Sequence, residues 1–148
     1  MIEFLDELRD ALIDPDSTIE LDDGRNLNDI IKSKVFPFKV PSEATYPYIT
    51  IRGMDIEENT TIGKNAFEWA VLPNMDFWTY SKDPKEIIDI QKLIKKTLHK
   101  SIFQTENYSC RNILQINSIV PFQPDTDKYP EGFASYQTFY MEVSYLTN

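Results

Sequence analysis

The sequence is poor in the residues on which most catalytic sites depend. Its 148 residues include one histidine, His99, and one cysteine, Cys110. A zinc site that needs two or more histidine ligands cannot be built from a single imidazole. A single thiol has no internal partner for a disulfide, and such usage is typical of proteins from a reducing cytosol.

Glycine is also scarce, and its spacing excludes the common nucleotide-binding loops. Gly24, Gly53, Gly63 and Gly132 are too dispersed for a dinucleotide fingerprint. The pair Gly63-Lys64 lacks both the earlier glycine and the following Ser or Thr that a phosphate-binding loop requires. We therefore expect no nucleotide cofactor.

Positive charge and long apolar runs are missing as well. Fifteen Lys and Arg stand against 24 Asp and Glu, which gives a formal charge of −9 and disfavours a surface for nucleic acid backbone. The basic cluster formed by Lys92, Lys95, Lys96, His99 and Lys100 is interpreted as the solvated back and last turn of a helix. No run approaches 18 apolar residues and no basic, apolar leader opens the chain, so we predict neither a membrane span nor a secretion signal.

Two sets of residues could in principle support catalysis or bind a metal ion, but no known motif surrounds either set. His99 and Cys110 as base and nucleophile would lie on different predicted elements. Acid pairs lack enough oxygen ligands at regular spacing for calcium, and we interpret them as solvated loop residues. A general acid-base pair is not excluded by the sequence, but no feature favours one. We predict no catalytic, cofactor-binding or metal-binding residues. The acid pairs are Asp22-Asp23, Glu57-Glu58 and Asp125-x-Asp127.

The most ordered pattern lies between residues 67 and 100. A period of two predicts a long strand that buries one face, and Asp83-Pro84-Lys85-Glu86 then specifies a helix start. A period of 3.6 follows, which predicts an amphipathic helix across an apolar sheet face. The strand residues assigned to the buried face are Phe67, Trp69, Val71, Met75 and Phe77, and those of the helix are Ile87, Ile90, Leu93, Ile94, Thr97 and Leu98.

The rest of the chain predicts a second helix and further strands. The pattern predicts an amphipathic helix at residues 2–13, a short turn of helix at 27–31, a short strand or an extended edge at 35–38, and strands at 48–52, 113–122 and 133–146. Polar loops are predicted at 55–65 and 123–131, and a connection at 103–110. No repeat or interdomain linker appears. We therefore predict one α+β domain, 1–148, with an antiparallel β-sheet and two α-helices packed on one face.

Two segments carry a family resemblance. Residues 46–51, YPYITI, and 77–81, FWTYS, which leads directly into the central helix, follow a short amphipathic N-terminal helix. This order resembles the tail terminator or tail completion proteins of long-tailed phages. The likeness covers most of the chain in element order, but its motifs are degenerate and include no invariant catalytic residue.

The resemblance implies a structural virion protein assembled in the bacterial host cytoplasm. Such a protein forms a homo-oligomeric ring, typically of six copies, caps the tail tube, ends tail polymerisation and meets the head-completion connector. DNA passes through its lumen without specific binding, for which a negative net charge is suited. We expect assembly or lumen residues in the polar loops and on the strand phase opposite the core: Glu57, Glu58, Lys64, Trp78, Tyr80, Asp125 and Asp127.

Other function classes are compatible with the sequence. A small cytosolic α+β enzyme or ligand-binding domain would place a pocket between helix and sheet. A nucleic-acid-binding sheet would need exposed aromatic residues flanked by Lys or Arg. Trp78 and Tyr80 are flanked instead by Asp76 and only Lys82, so we rank that function last.

Overall fold

A computed structural model describes residues 2–37, 39–52, 69–99, 102–124 and 132–146. In chain order they form helices α1 and α2, strands β1 to β3, helix α3 and strands β4 to β6. Their bounds are α1 Ile2–Leu12, α2 Leu27–Ile31, β1 Val35–Phe36, β2 Tyr48–Arg52, β3 Ala70–Ser81, α3 Pro84–Leu98, β4 Ile102–Gln104, β5 Tyr108–Ser118 and β6 Phe133–Tyr145.

The strands form one six-stranded mixed sheet in the order β1-β2-β3-β6-β5-β4. Four of the neighbouring pairs are antiparallel, whereas β1 runs parallel to β2. The predicted α+β class is confirmed, with two differences in detail. The sheet is not wholly antiparallel, and the described residues contain three helices instead of two because residues 27–31 complete a short helix.

Helix α3 forms as its sequence predicts. The Asp83 side chain accepts a hydrogen bond from the Lys85 backbone nitrogen at 2.9 Å, and Pro84 occupies the first turn. Glu86 does not bond the cap backbone directly: Ser81 Oγ donates to Glu86 Oε1 at 2.7 Å and accepts from the Asp83 nitrogen at 3.1 Å. Glu86 therefore contacts the helix start through Ser81, the last residue of β3. All six stripe residues of α3 are buried.

One apolar core lies between the three helices and one face of the sheet. Helix α1 contributes Phe4, Leu5, Leu8 and Leu12 to this core, as its period predicts. The sheet contributes residues from β2, β3, β5 and β6, among them Phe77 and Phe139, whose rings meet edge to face with centroids 5.5 Å apart. Each fully buried side chain of this size contributes roughly 1.5–3 kcal/mol to folding.

The predicted facing of β3 is wrong in its first half. Met75 and Phe77 enter the core as expected, but upstream of them Ala70 and Leu72 are buried, while Val71 is only half-buried. The pairing of β3 with β6 shifts register between Leu72 and Met75. An irregularity of this kind changes the phase of a strand, so a single period of two cannot describe both halves.

The connection predicted at 103–110 is also wrong. Residues Ile102–Gln104 form β4, and β5 already begins at Tyr108 and ends at Ser118, earlier than the predicted end at 122. Phe103 and Cys110 are buried register partners. The strand prediction for residues 133–146 is confirmed, since Phe139, Met141 and Val143 face the core and Ala134 faces away. The predicted loop 55–65 and Phe67 lie outside the described residues.

Candidate assembly surface

The sheet has a second face that none of the described helices covers. On β2, Ile49 and Ile51 enter the core beneath the helices, so the alternation of a strand turns Tyr48, Thr50 and Arg52 to the other side. The main core contains residues from α1, α2 and α3, whereas no residue of these helices belongs to the apolar cluster around Tyr48 on this opposite face. We call this opposite side the helix-free face.

Aromatic rings follow one another across the helix-free face. Consecutive ring centroids are 6.0 Å apart for Tyr46 and Tyr48, 4.8 Å for Tyr48 and Tyr80, and 6.3 Å for Tyr80 and Trp78. Trp78 in turn lies 4.8 Å from Tyr136 and 6.4 Å from Phe122. We call these six residues the aromatic strip. It crosses β2, β3 and β6 and reaches the segment that follows β5.

The rings of the aromatic strip differ in exposure. Tyr48 and Tyr80 are 3% and 4% exposed, Trp78 is half-buried, and Phe122 is 40% exposed. Trp78 and Tyr80 were predicted together as assembly residues, and the structure brings them together on one face. Tyr80 is buried and packs against the rings of Tyr48 and Trp78. Trp78 and Phe122 instead expose aromatic surface of the kind enriched at protein interfaces.

An arginine caps the aromatic strip. Arg52 Nη2 donates to Tyr80 Oη at 2.7 Å, and its guanidinium carbon lies 5.1 Å from the Trp78 ring centroid. Stacking of this kind combines cation-π attraction with a fixed hydrogen-bond direction. Sequence reasoning missed Arg52 because the strand pattern shows which side it faces but not that a tyrosine on the neighbouring strand β3 accepts its hydrogen bond.

A polar group occupies the helix-free face near the other end of β6. Glu142 accepts hydrogen bonds from Arg111 Nε at 2.8 Å, Asn112 Nδ2 at 3.0 Å and Tyr140 Oη at 2.9 Å, and Arg111 also lies over the Trp69 ring at 3.9 Å. Burial raises the pKa of Glu142, but these three donors outweigh it and hold the pKa below its ordinary value. The group fixes an ionised carboxylate beside an exposed arginine.

Five predicted site residues cannot be placed on this surface. Glu57, Glu58, Lys64, Asp125 and Asp127 lie outside the described residues, in the segments between β2 and β3 and between β5 and β6. Their role therefore stays a prediction.

The residues weighed for catalysis are not brought together as a reactive pair. Cys110 is fully buried in the core, and burial raises the pKa of its thiol to about 12. His99 is exposed at the C-terminal cap of α3. Among the described residues, no group of three or more His, Cys, Asp or Glu side chains is placed to hold a metal ion. None of the helices in the described ranges is long and apolar enough to cross a membrane.

An open pocket of about 590 Å³ lies where β3 turns into α3. Its lining includes the segment from Ala44 to Pro47 and the start of α3. The polar groups Ser81, Asp83 and Glu86 are engaged in the relay that caps this helix. The pocket is therefore explained by the helix start, and we assign it no ligand.

The fold itself has a relative among known structures. It is similar to a chain in the virion of a native gene transfer agent particle, with a TM-score of 0.65 over 94% of this chain and 92% of that chain. The two sequences are 9% identical, so the likeness establishes a shared fold. No protein-family model matches the sequence, and a search of curated proteins found none that matches.

Proposed function

We propose that this chain is a structural virion protein that forms a ring on the end of a phage tail tube, ends tail polymerisation and joins the tail to the head connector. The observation that carries the proposal is the fold likeness to a chain of a gene transfer agent virion, which extends over nearly the whole of both chains. The whole chain, 1–148, would act as one tail-terminator-like domain. Its partners would be further copies of itself, the tail tube protein and the head-completion connector protein.

The helix-free face supports the assembly role. The contacts in a ring are heterologous, so each subunit uses two different patches of its own surface, one against each neighbour. The aromatic strip offers half-buried Trp78, capped by Arg52, and exposed Phe122 on a face that no described helix covers. Tryptophan, tyrosine and arginine are the residue types that most often dominate interface energies. We therefore assign Trp78 to a subunit contact and Tyr80 to its support.

Charge is compatible with passage of DNA through the ring. The chain carries a formal charge of −9, and an acidic lumen repels phosphate and lets DNA slide without adhering. We keep Glu57, Glu58, Asp125 and Asp127 as candidates for the lumen or the ring faces, and Lys64 as a candidate contact. The ring size proposed here is six copies.

The rival function, a small enzyme or ligand-binding domain, has no specific observation in its favour. It requires polar groups that converge in a pocket between helix and sheet. In the pocket at the start of α3, the serine and the two acids are used to cap the helix.

Electron microscopy of virus particles tests the proposal directly. Deletion of the gene from the phage or prophage that encodes the chain is expected to give overlong tails and heads without tails. Complementation with the wild-type gene should restore tails of normal length, and complementation with Trp78→Ala should restore them poorly while Trp78→Phe restores them well. Joined tails of normal length in the deletion strain would reject the proposal.

A further inference from the structure

One edge of the sheet carries an uncharged stretch in which several apolar side chains are exposed to solvent. Strand β4 pairs only with residues 109–111 of β5, so from Asn112 onward β5 has β6 on one side and no described strand on the other. After β5 ends, the chain continues beside β6, where Phe122 and Ala134 exchange two backbone hydrogen bonds of 2.8 Å. We call residues 112–122, NILQINSIVPF, the neutral edge.

Apolar exposure is concentrated on the neutral edge. Leu114, Ile116, Val120 and Phe122 are 55%, 53%, 82% and 40% exposed, and they are four of the seven large exposed hydrophobic residues among those described. Single exposed apolar residues are ordinary, but four within nine positions on one sheet edge indicate a contact surface. Phe122 also belongs to the aromatic strip, so the neutral edge continues the surface assigned above to assembly.

The distribution of charge indicates what covers this edge. None of the eleven residues is charged, in a chain with a formal charge of −9. Two copies of the same acidic chain repel wherever their charged surfaces meet, and the repulsion is smallest where neither copy carries charge. A nucleic acid or a charged peptide would find no complementary charge here. The surface therefore fits a second copy of this chain.

The irregular backbone of β5 determines the kind of contact. Asn112 has a left-handed φ of 51°, and the pairing of β5 with β6 shifts between Arg111 and Leu114 and again between Gln115 and Asn117. Such irregularities interrupt the row of edge N–H and C=O groups that a continuous added strand would need. Burial of side chains, instead of a long backbone ladder, would hold the copies together.

We propose that the neutral edge is a self-association surface, through which one copy of the chain packs its exposed aliphatic side chains against a neighbouring copy. This contact rests on the proposed ring for its biological role, but it can be tested on the purified chain without a tail tube. It adds Leu114, Ile116 and Val120 to the residues that assembly would bury.

Sedimentation velocity over a range of protein concentrations tests the contact. The wild type should self-associate, and association should strengthen from about 0.05 to about 0.5 M NaCl because salt screens the repulsion between acidic copies. The double variant Ile116→Lys, Val120→Lys should associate at least about tenfold more weakly, because each lysine would have to be desolvated at the contact. Its circular dichroism and melting temperature should stay close to wild type, since both positions are exposed.

Ile88→Lys is the matched control, because Ile88 is also an isoleucine and is 43% exposed, but it lies on α3 and not on the neutral edge. This variant should associate like the wild type. A thiol-reactive cross-linker should also join copies of Ile116→Cys, and not copies of Ile88→Cys, in a Cys110→Ala background whose fold has been checked by circular dichroism.

Three results would overturn the inference: a wild type that stays monomeric up to about 1 mM, a double variant that associates normally, or an Ile88→Lys variant that is weakened equally. Failure of the tail role is a separate result. If copies associate through the neutral edge while the deletion strain makes normal tails, the contact stands and the proposed function fails.

Discussion

Arg52 and Tyr80 are joined across two neighbouring strands by a 2.7 Å hydrogen bond from the guanidinium Nη2 to the phenolic oxygen. The two residues are not direct register partners: Arg52 faces Asp76, and Tyr80 faces Tyr48, at the opposite end of the β2–β3 pairing. The arginine therefore reaches back along the sheet and passes 5.1 Å from the Trp78 ring centroid on the way. A long planar side chain thus links the two ends of a short strand pair.

This geometry predicts that Arg52→Lys will behave like Arg52→Ala. Lysine keeps the charge but has no planar fork to stack on Trp78 while it donates to Tyr80. We expect both variants to lower the free energy of unfolding by about 0.5–1.5 kcal/mol, the range for an exposed cation-π contact with one hydrogen bond. Urea denaturation followed by circular dichroism measures the change. A lysine variant as stable as the wild type would show that charge alone suffices.

The phase change in β3 predicts that truncation of two adjacent residues will lower the free energy of unfolding by unequal amounts. Leu72 is fully buried, and Leu72→Ala should lower the free energy of unfolding by about 2–5 kcal/mol through lost transfer energy and a residual cavity. Val71 is half-buried on the helix-free face, and Val71→Ala should cost less than about 1 kcal/mol. Urea titration of both variants gives the comparison. The uniform alternation expected from the sequence predicts the reverse order.

The two halves of β3 show what sequence patterns can and cannot specify. Downstream of the register shift, Met75 and Phe77 lie in the core as the period of two predicts, because successive side chains of a regular strand point to opposite faces of the sheet. Upstream, the same pattern assigns Trp69 and Val71 to the core, but the irregularity between Leu72 and Met75 reverses the phase. Pro73 is a visible signal of a break, since it cannot donate to a ladder, yet it does not state how many residues are inserted.

The helices were more predictable than the surface. The cap of α3 and its buried stripe depend on residues close in sequence, so Asp83, Pro84 and the apolar spacing suffice to predict them. The aromatic strip joins rings from β2, β3, β6 and the segment after β5, and its formation depends on the strand order β2-β3-β6-β5. Sequence alternation predicted that Trp78 and Tyr80 share a face, but it could not predict that Arg52 and Phe122 lie next to them.

Burial of the single cysteine predicts slow chemical modification. The Cys110 side chain is fully buried and burial raises the pKa of its thiol to about 12, so at pH 8 the folded protein holds a neutral thiol out of reach of reagents. We expect labelling by a thiol-reactive disulfide to be at least about 100-fold slower than in urea, with a rate that tracks opening of the core. Because Cys110 is the only cysteine, absorbance of the released thiolate measures it without ambiguity. Rapid labelling of the native protein would contradict the described packing of β4 on β5.

The Glu142 carboxylate predicts a loss of stability in acid. Its pKa in the folded state lies below the ordinary value of 4.5, because hydrogen bonds from Arg111, Tyr140 and Asn112 outweigh the effect of burial. A group whose folded pKa is depressed contributes stability that is present above its unfolded pKa, here near 4.5, and is lost as pH falls through the folded pKa. Acid therefore removes this contribution below about pH 4.5, where protonation weakens the bond to Arg111.

Glu142→Gln isolates this contribution, because glutamine keeps the shape and one acceptor but does not titrate in this range. The variant should be less stable than the wild type at pH 7 by about 1–2 kcal/mol, the cost of replacing charged hydrogen bonds with neutral ones. The difference should shrink as pH falls below 4.5, the ordinary pKa of this carboxyl. Some acid sensitivity should persist in the variant, since the pKa of Glu7 is also lowered: burial raises it, but hydrogen bonds from Asn107 and Thr105 prevail. Urea titrations at a series of pH values measure both curves, and a stability difference that stays constant down to about pH 3 would rule out the assigned role of Glu142.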